Sequence, residues 1–265
     1  MIKLAELCSE ALLTESISTA HVRRLAGLAT WIAGVMPQMA AYTAMIWAAA
    51  NASASGQVTR AQVTRPLTWL RALSQMNMAP DERHCRRTAQ YFTLITFDGS
   101  LSGGGATLQV GLHSIEQAAA APIVSYWNTT WTDNDLKLVR AIRGEPSGQA
   151  RLEALTLLIA VATWTKLFGS MQGSLAILGD ALGVLYDFAK LRAKDPILNE
   201  IARETALILA PTGHVLKAAH IWTQRNTICD ALSRLRVNSH EVLAELKGAT
   251  RVKPIRARGT LLRME

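Results

Sequence analysis

Four acidic residues occupy positions where an ordinary surface charge is not expected. Asp98 and Asp180 each end a predicted strand, and Asp230 lies near the start of the last predicted helix. Glu153 lies inside the apolar stretch "LEALTLLIAVATW", where a single buried carboxylate is costly unless it is paired or bound to a metal. Carboxylates from separate elements suit Mg²⁺, and two such ions about 4 Å apart can activate water for phosphodiester hydrolysis. These four acids are therefore candidates for a two-metal hydrolytic site.

Each strand-end or helix-start acid also has a purely structural interpretation. Asp98 belongs to "DGS", which is typical of turns, and Asp180 could cap the helix that follows it. Asp230 could simply favour the amino terminus of its helix. Against this, the apolar stripe predicted for that helix leaves Asp230 facing away from the core. The residues of the predicted stripe are Ile228, Leu232 and Leu235.

The elements before residue 90 are predicted to be helices only. Apolar residues at helical spacing indicate helices over 18–35, 40–50 and 60–76, with Ser18 and Thr19 as candidate caps for the first. "NASASGQ" (51–57) is predicted as a loop, and the polar segment 77–90 as a domain boundary.

A long uncharged stretch raises the question of whether the chain spans a membrane. No charged residue occurs from Leu25 to Thr59, and the stretch is long enough to cross a bilayer. Pro37 and Gln38 interrupt it, however, and a globular helix usually ends near the residue before a proline. Two buried helices broken at Pro37 are therefore predicted, with a membrane-anchored helical protein as the alternative.

After residue 90 the pattern becomes that of an α/β sheet. "YFTLITF", "GGGATLQVG" and "APIVSYWNTTW" predict three strands of an antiparallel meander. A long helix over 149–168 follows, and then strands over 174–180 and 214–222 alternate with helices over 181–193, 196–210 and 226–236, the last capped by Asn226. This order predicts a mixed five-stranded α/β sheet with flanking helices, preceded by an all-helical segment.

Charge and cysteine content narrow the class of protein. The 265 residues contain 28 lysines and arginines against 20 acids, and residues 246–264 hold six basic residues and no acid. Such a tail is either a contact for polyanions or a solvated, disordered terminus. Cys8, Cys85 and Cys229 are widely spaced and unpaired in pattern, so neither a disulfide framework nor a zinc site is predicted, and an intracellular setting, cytoplasmic or nuclear, is expected.

The order of elements and acids resembles ribonuclease H. The resemblance is carried by "TFDGSLSGGGATLQVG", "ARLEALTLLIA", "LAILGDALGVL" and "HIWTQRNTICDALSRL". The last stretch, with a histidine ten residues and an asparagine four residues before the final aspartate, is similar to the end of ribonuclease H domains in retroelement polyproteins. Residues 18–76 resemble the thumb and connection region of reverse transcriptases, especially those of DIRS-like retrotransposons.

The resemblance implies roles for particular residues. Asp98, Glu153, Asp180 and Asp230 would bind two Mg²⁺ ions, with Mn²⁺ as an alternative. His220 would help proton transfer or product release, and Ser100 and Asn226 would contact the substrate. The structural alternatives are a satisfied histidine at a strand end for His220 and an ordinary N-cap for Asn226.

The implied activity is hydrolysis of the RNA strand of RNA·DNA hybrids. No YxDD polymerase motif occurs in the sequence. The chain is therefore expected to be the carboxyl-terminal part of a larger reverse transcriptase, partnered by a polymerase part, or a truncated or repurposed descendant of one. The expected division is 1–90 helical, 91–237 ribonuclease H-like and 238–265 basic tail. The alternative function is a catalytically inactive nucleic-acid-binding or assembly module with the same fold.

Overall fold

The computed structural model describes residues 1–75, 91–112, 114–168, 173–212, 214 and 216–256. Its helices are α1 Ile2–Leu13, α2 Thr19–Ala33, α3 Ala40–Ala52, α4 Arg60–Gln75, α5 Ile115–Ala120, α6 Asp133–Leu138, α7 Gln149–Phe168, α8 Leu182–Ala189, α9 Pro196–Leu209, α10 Thr227–Ser233 and α11 His240–Glu245. Its strands are β1 Ser16–Ser18, β2 Gln57–Thr59, β3 Tyr91–Gly99, β4 Gly103–Leu112, β5 Ile123–Thr130, β6 Gly173–Gly179, β7 Leu216–His220 and β8 Thr250–Arg251. Short 3₁₀ turns cover Pro37–Met39, Pro146–Gly148, Ala210–Thr212 and Thr223–Arg225. The predicted boundary 77–90, with Cys85, lies outside the described residues.

The three predicted amino-terminal helices are present as α2, α3 and α4. The Ser18 side chain caps α2 by accepting a hydrogen bond from the His21 amide at 3.3 Å. The 3₁₀ turn that begins at Pro37 separates α2 from α3, as expected from the ring's effect on helical hydrogen bonding. In the part of the chain that the structure covers, no helix is long and apolar enough to cross a membrane.

The prediction that this part contains helices only is wrong in one respect. β1 and β2 form a two-stranded antiparallel sheet in which Ile17 pairs with Val58. In each strand only the central residue is buried. Three residues are too few for an alternating pattern to be recognised in the sequence. The second strand also begins at the last residue of the loop predicted over 51–57.

The predicted α/β fold is confirmed, with six strands in the main sheet rather than five. The strand order is β7-β6-β3-β4-β5-β8. β3, β4 and β5 form the antiparallel meander, while β6 runs parallel to β3 and β7 parallel to β6. The main sheet is therefore mixed, as predicted. The sixth strand, β8, pairs in parallel with β5.

The extra strand comes from the basic segment near the carboxyl terminus. Arg251 donates to Asn128 Oδ1 at 2.8 Å, and the Ile255 amide donates to Thr163 Oγ1 at 2.9 Å. Arg256 pairs with the buried Asp135. Residues 250–256 therefore lie along the edge of the sheet instead of forming a solvated terminus, and residues 257–265 lie outside the described residues.

The helical part packs on the sheet part through α9. Tyr42 Oη donates to the Arg203 carbonyl at 2.8 Å, and Gln38 Nε2 donates to the His214 carbonyl at 2.9 Å. Both Tyr42 and Arg203 are almost fully buried. One continuous apolar core runs from α1 through α9 to the face of the sheet covered by α7.

The two faces of β3 point at different layers. Ile95 and Phe97 belong to the core under α7. Successive side chains of a strand alternate between faces, so Thr96 and Asp98 point to the opposite side, which is covered by α10. The pleat of β3 thus places Asp98 on the α10 side of the sheet.

Candidate active site

Asp98 lies within β3 and is not itself the turn residue. It pairs with Gly105 of β4, and the chain reverses only after it, where the Ser100 amide donates to the Gly103 carbonyl at 2.8 Å. The Asp98 side chain is 8% exposed, and its Oδ2 accepts a hydrogen bond from the Ser233 hydroxyl. The turn and the carboxylate are therefore separate features of the same hairpin.

Close packing at Gly99 brings helix α7 to the end of β3. A Cβ atom at Gly99 would lie 2.7 Å from the Glu153 Cα, so only glycine allows this approach. Gln149, one turn earlier on α7, donates to the Gly99 carbonyl and, at 3.0 Å, to Glu153 Oε1. Glu153 is 9% exposed, and its Oε2 is buried without a hydrogen-bond partner. The helix thus presents a carboxylate with one unsatisfied oxygen beside Asp98's strand.

Asp180 follows β6, the parallel neighbour of β3. Thr96 pairs with Leu178, and continuing this register by two residues places Asp180 beside Asp98. Neighbouring strands are about 4.8 Å apart, so the two carboxylates extend from adjacent backbones. The alternative in which Asp180 caps the next helix is wrong, because Ala181 is the N-cap of α8 and no side chain caps that end.

Asp230 belongs to α10, whose buried face differs from the predicted one. The buried residues are Cys229, Leu232 and Ser233. Leu235 is 38% exposed with a φ of 61°, because the helix ends at Ser233 and the chain turns away. Asp230 stands outside the buried face and pairs with Arg234, whose Nε lies 2.7 Å from Asp230 Oδ1.

Electrostatic coupling shows that the four acids share one region. Burial raises the pKa of Asp98 to about 6; the Ser233 hydrogen bond opposes this rise, and the charges of Asp180 and Asp230 add to it. Burial likewise raises the pKa of Glu153 to about 7, opposed by the Gln149 hydrogen bond and reinforced by Asp98 and Asp180. The negative charges of neighbouring acids therefore disfavour ionisation of each buried carboxyl.

The four acids have the ligand chemistry of a hard divalent cation. Asp98, Glu153, Asp180 and Asp230 provide carboxylate oxygens, which is the ligand chemistry of Mg²⁺ and Mn²⁺, and Glu153 Oε2 is a buried acceptor without a partner. Across the described ranges, however, no three His, Cys, Asp or Glu side chains form a group that could hold a metal ion as they stand. The residue types and the mutual repulsion of the four carboxylates fit a metal site. The four side chains, however, do not converge on a single point.

The structure also locates the other three predicted site residues. His220 ends β7 in register with Gly179, the residue before Asp180, and is partly exposed. The Ser100 hydroxyl is buried and occupied by the hairpin turn, where it donates to the Ser233 carbonyl at 2.9 Å and accepts from the Gly103 amide. Its proposed contact with substrate therefore has no support from its surroundings.

Asn226 occupies the N-cap position of α10, but its side chain does not cap the helix. Its Nδ2 donates to the Phe97 carbonyl at 3.2 Å, while its Oδ1 is buried without a partner. The predicted capping role is therefore wrong. A side-chain amide at this position instead ties the start of α10 to the strand that carries Asp98.

Three residues that position the acids were not identified from the sequence. Gln149 and Arg234 could have been found, because each lies four residues from its acid on the same helical face. Gln149 precedes Glu153, and Arg234 follows Asp230. Ser233 gave no local signal. It is 135 residues from Asp98 in the chain, and only the packing of α10 on the hairpin brings its hydroxyl to that carboxylate.

The solved structures that are similar to this chain include ribonucleases H, at low sequence identity. No family model matches it, and no curated protein does either. Ribonuclease H1 from the halophilic archaeon Halobacterium salinarum NRC-1 is 19% identical over 58% of this chain and 98% of its own length, with a TM-score of 0.37. The N-terminal ribonuclease H domain of Rv2228c from Mycobacterium tuberculosis is 13% identical over 60% of this chain and 98% of its own, with a TM-score of 0.35.

A viral protein is similar over a longer part of the chain. The foamy viral protease-reverse transcriptase dRH in complex with double-stranded DNA is 10% identical over 82% of this chain and 35% of its own, with a TM-score of 0.32. At these identities and TM-scores the similarity carries no functional conclusion. Function has to be inferred from the residues of this chain.

Proposed function

We propose that this chain is a ribonuclease H-type endonuclease that hydrolyses the RNA strand of RNA·DNA hybrids. The observation that carries the proposal is the coupling of Asp98, Glu153, Asp180 and Asp230, which come from β3, α7, the end of β6 and α10 into one electrostatic region. An ion pair does not explain the burial of Glu153, because its Oε2 has no partner. Buried acids with raised pKa values in mutual repulsion are typical of functional sites.

The four acids would hold two Mg²⁺ ions, or Mn²⁺ in their place. When bound, such ions supply a nucleophilic water at neutral pH and stabilise charge on the leaving oxygen. Ser233 would hold Asp98 through its Oδ2, and Gln149 would hold Glu153 through Oε1, leaving Oε2 free as a ligand. These two hydrogen bonds restrict the rotamers of both carboxylates before any ligand arrives.

His220 is the candidate for proton transfer to the leaving group or for product release. It ends β7 next to the residue that precedes Asp180, and its partial exposure leaves the imidazole accessible from solvent. Histidine is the side chain that most often transfers protons to or from a reacting group. The alternative, a histidine fully satisfied at a strand end, predicts that its replacement leaves turnover unchanged.

The proposed substrate is recognised by backbone shape, by the 2′-hydroxyl and by phosphate charge. Arg192, Lys194 and Lys217 are exposed and available for phosphates. Arg256 is not, because it pairs with the buried Asp135. Arg23, Arg24 and Trp31 are also exposed on α2, so this helix offers further basic and aromatic side chains to a duplex.

We further propose that the chain is the carboxyl-terminal part of a retroelement reverse transcriptase, of the DIRS-like kind, acting with a polymerase part. The support is the order of a helical unit followed by the ribonuclease H-like sheet, and the packing of the two through Tyr42 and Arg203. Such packing would fix the orientation of the two parts, so that one duplex could contact both.

A catalytically inactive nucleic-acid-binding or assembly module is the second candidate. It is favoured by one observation: in the described parts of the chain, the acids do not form a ready group of three. This candidate predicts binding of a hybrid without hydrolysis at any metal concentration.

A divalent-cation titration with a labelled RNA·DNA hybrid separates the two candidates. Wild-type protein is expected to cut the RNA strand only with Mg²⁺ or Mn²⁺ and to leave 5′-phosphate and 3′-hydroxyl ends. Asp98→Asn should be inactive, whereas Asp133→Asn, an exposed acid paired with Arg143, is the matched control and should remain active. Folded wild-type protein that never cleaves, or cleavage unchanged in Asp98→Asn, would reject the nuclease.

A further inference from the structure

The segment 221–226, here called the site turn, joins β7 to α10. It contains a 3₁₀ turn over Thr223–Arg225, in which the Arg225 amide donates to the Trp222 carbonyl at 2.7 Å. The Asn226 amide donates to the Trp222 and Thr223 carbonyls at 3.2 and 3.1 Å. Hydrogen bonds within the site turn therefore fix its backbone conformation.

Both ends of the site turn are hydrogen-bonded to residues that directly precede candidate acids. At one end the Ile221 amide donates at 3.0 Å to the carbonyl of Gly179, the residue before Asp180. At the other end Asn226 Nδ2 donates at 3.2 Å to the carbonyl of Phe97, the residue before Asp98. The position of the turn is thus fixed relative to both carboxylates.

The side chains that the turn exposes are an aromatic ring and a guanidinium. Trp222 is 67% exposed, and its ring lies edge-on to His220 with centroids 5.1 Å apart. Arg225 is exposed, and within the described ranges it forms no ion pair. A large apolar ring and an unpaired cation, both exposed on one short turn, match the chemistry of a nucleic-acid strand.

We propose that Trp222 and Arg225 form a contact for the nucleic-acid strand next to the candidate acids. The indole would stack on an exposed sugar or base, and the guanidinium would bind an adjacent phosphate. Arg225 would also offset the repulsion between that phosphate and the acid cluster. The inference rests on the proposed function for its substrate, and it identifies which surface holds the strand.

The test measures binding without turnover. A fluorescently labelled RNA·DNA hybrid is titrated with full-length protein in EDTA, and affinity is followed by anisotropy at several salt concentrations. Trp222→Ala is expected to weaken binding about 10-fold, with most of the affinity restored in Trp222→Phe. Arg225→Ala should lower the slope of log affinity against log salt by about 1. Leu13→Ala, an exposed apolar residue on α1, is the matched control and should bind like wild type.

Several outcomes would overturn the contact. One is wild-type affinity in both Trp222→Ala and Arg225→Ala. Another is an equal loss in Trp222→Ala for inorganic polyphosphate, an anionic polymer without sugars or bases, since stacking would then be wrong. Thermal melting of each variant establishes that it is folded.

The contact and the nuclease can fail separately. Binding that depends on Trp222 in a protein that never cleaves with Mg²⁺ supports the contact and rejects the nuclease. Cleavage by wild type with unchanged affinity in both variants rejects the contact alone.

Discussion

The helical region, residues 1–75, and the sheet region, residues 91–256, place their acids differently. In the helical region Glu6, Glu10 and Glu15 are all exposed. The sheet region buries Asp98, Asp135, Glu153 and Glu204 to 9% exposure or less. An acid in water loses little on folding, whereas a buried one is costly unless its oxygens are satisfied.

Two of those buried acids show why burial alone does not mark a site. Asp135 Oδ2 accepts from the Thr132 amide at 2.7 Å in the capping box of α6, and it also pairs with Arg256. Glu153 keeps one buried oxygen without a partner. Asp135 therefore stabilises a helix start, and Glu153 destabilises the core. A residue that works against stability in an otherwise consistent fold is the kind expected at a functional site.

The largest expected effect is on turnover. Glu153→Gln should reduce hybrid cleavage by about 10³-fold, because a neutral amide cannot stabilise charge in the way a carboxylate with its cation does. Glu10→Gln, an exposed acid of the helical region, should cleave like wild type. Initial rates at saturating Mg²⁺ test both variants, and equal rates in all three proteins would remove Glu153 from the site.

Next in size is the response of the helical region to a core deletion. Leu70 is 0% exposed in α4, so Leu70→Ala should lower the free energy of unfolding by about 3 kcal/mol through lost burial and the cavity left behind. Leu13→Ala, at 84% exposure, should change it by less than about 0.5 kcal/mol. Urea unfolding measures both, and a small loss at Leu70 would mean that this core relaxes around the cavity.

A smaller effect, of opposite sign, is expected at the buried acids. Because the folded pKa values of Asp98 and Glu153 are raised to about 6 and about 7, metal-free wild-type protein should lose stability as pH rises through these values. Asp98→Asn and Glu153→Gln each replace one of these carboxyls by an amide that does not ionise, so each removes the contribution of its own residue to this loss. Each should be more stable than wild type by on the order of 2 kcal/mol at pH 8, with the difference vanishing near pH 4.

Urea unfolding in EDTA at pH 4, 6 and 8 checks this, with Asp133→Asn as a control that should show no such trend. A gain of equal size at every pH would assign the effect to packing rather than to charge.

The smallest effect tests the junction of the two regions. Tyr42→Phe removes the 2.8 Å hydrogen bond to the Arg203 carbonyl and should lower the free energy of unfolding by about 1 kcal/mol. Tyr186→Phe is a suitable comparison, because Tyr186 is 63% exposed and its hydroxyl should contribute little. If the two variants unfold alike, the buried hydrogen bond does not stabilise the junction.

Local sequence was sufficient for most of the elements. Helices α2, α3, α4 and α7 and strands β3 to β7 follow from apolar spacing, capping residues and glycine turns, because these signals lie within about ten neighbouring residues. The β1–β2 pair and β8 were missed. Their short strands exist only because a distant segment supplies the hydrogen-bond partners.

The candidate site divides in the same way. The sequence identified the four acids by residue type and position, and Glu153 by the apolar helix around it. It also assigned Ser100 and Asn226 as substrate contacts, with a helix cap as the structural alternative for Asn226. In the structure Asn226 bonds to the Phe97 carbonyl, and the Ser100 hydroxyl is occupied by the hairpin turn. A polar side chain can satisfy several partners, and only packing decides which one is near.

By itself, the sequence determined the order of elements, the α/β class and the presence of acids at strand ends, since periodicity and residue chemistry are local properties. The tertiary structure alone decided that Asp98 lies on β3 and Asp180 follows its parallel neighbour β6, that Ser233 reaches Asp98 across 135 residues, and that one oxygen of Glu153 stays unpaired. Those facts depend on register and on the close approach of α7 and α10 to the hairpin. Such contacts arise from the packing of segments far apart in the chain, which no local pattern encodes.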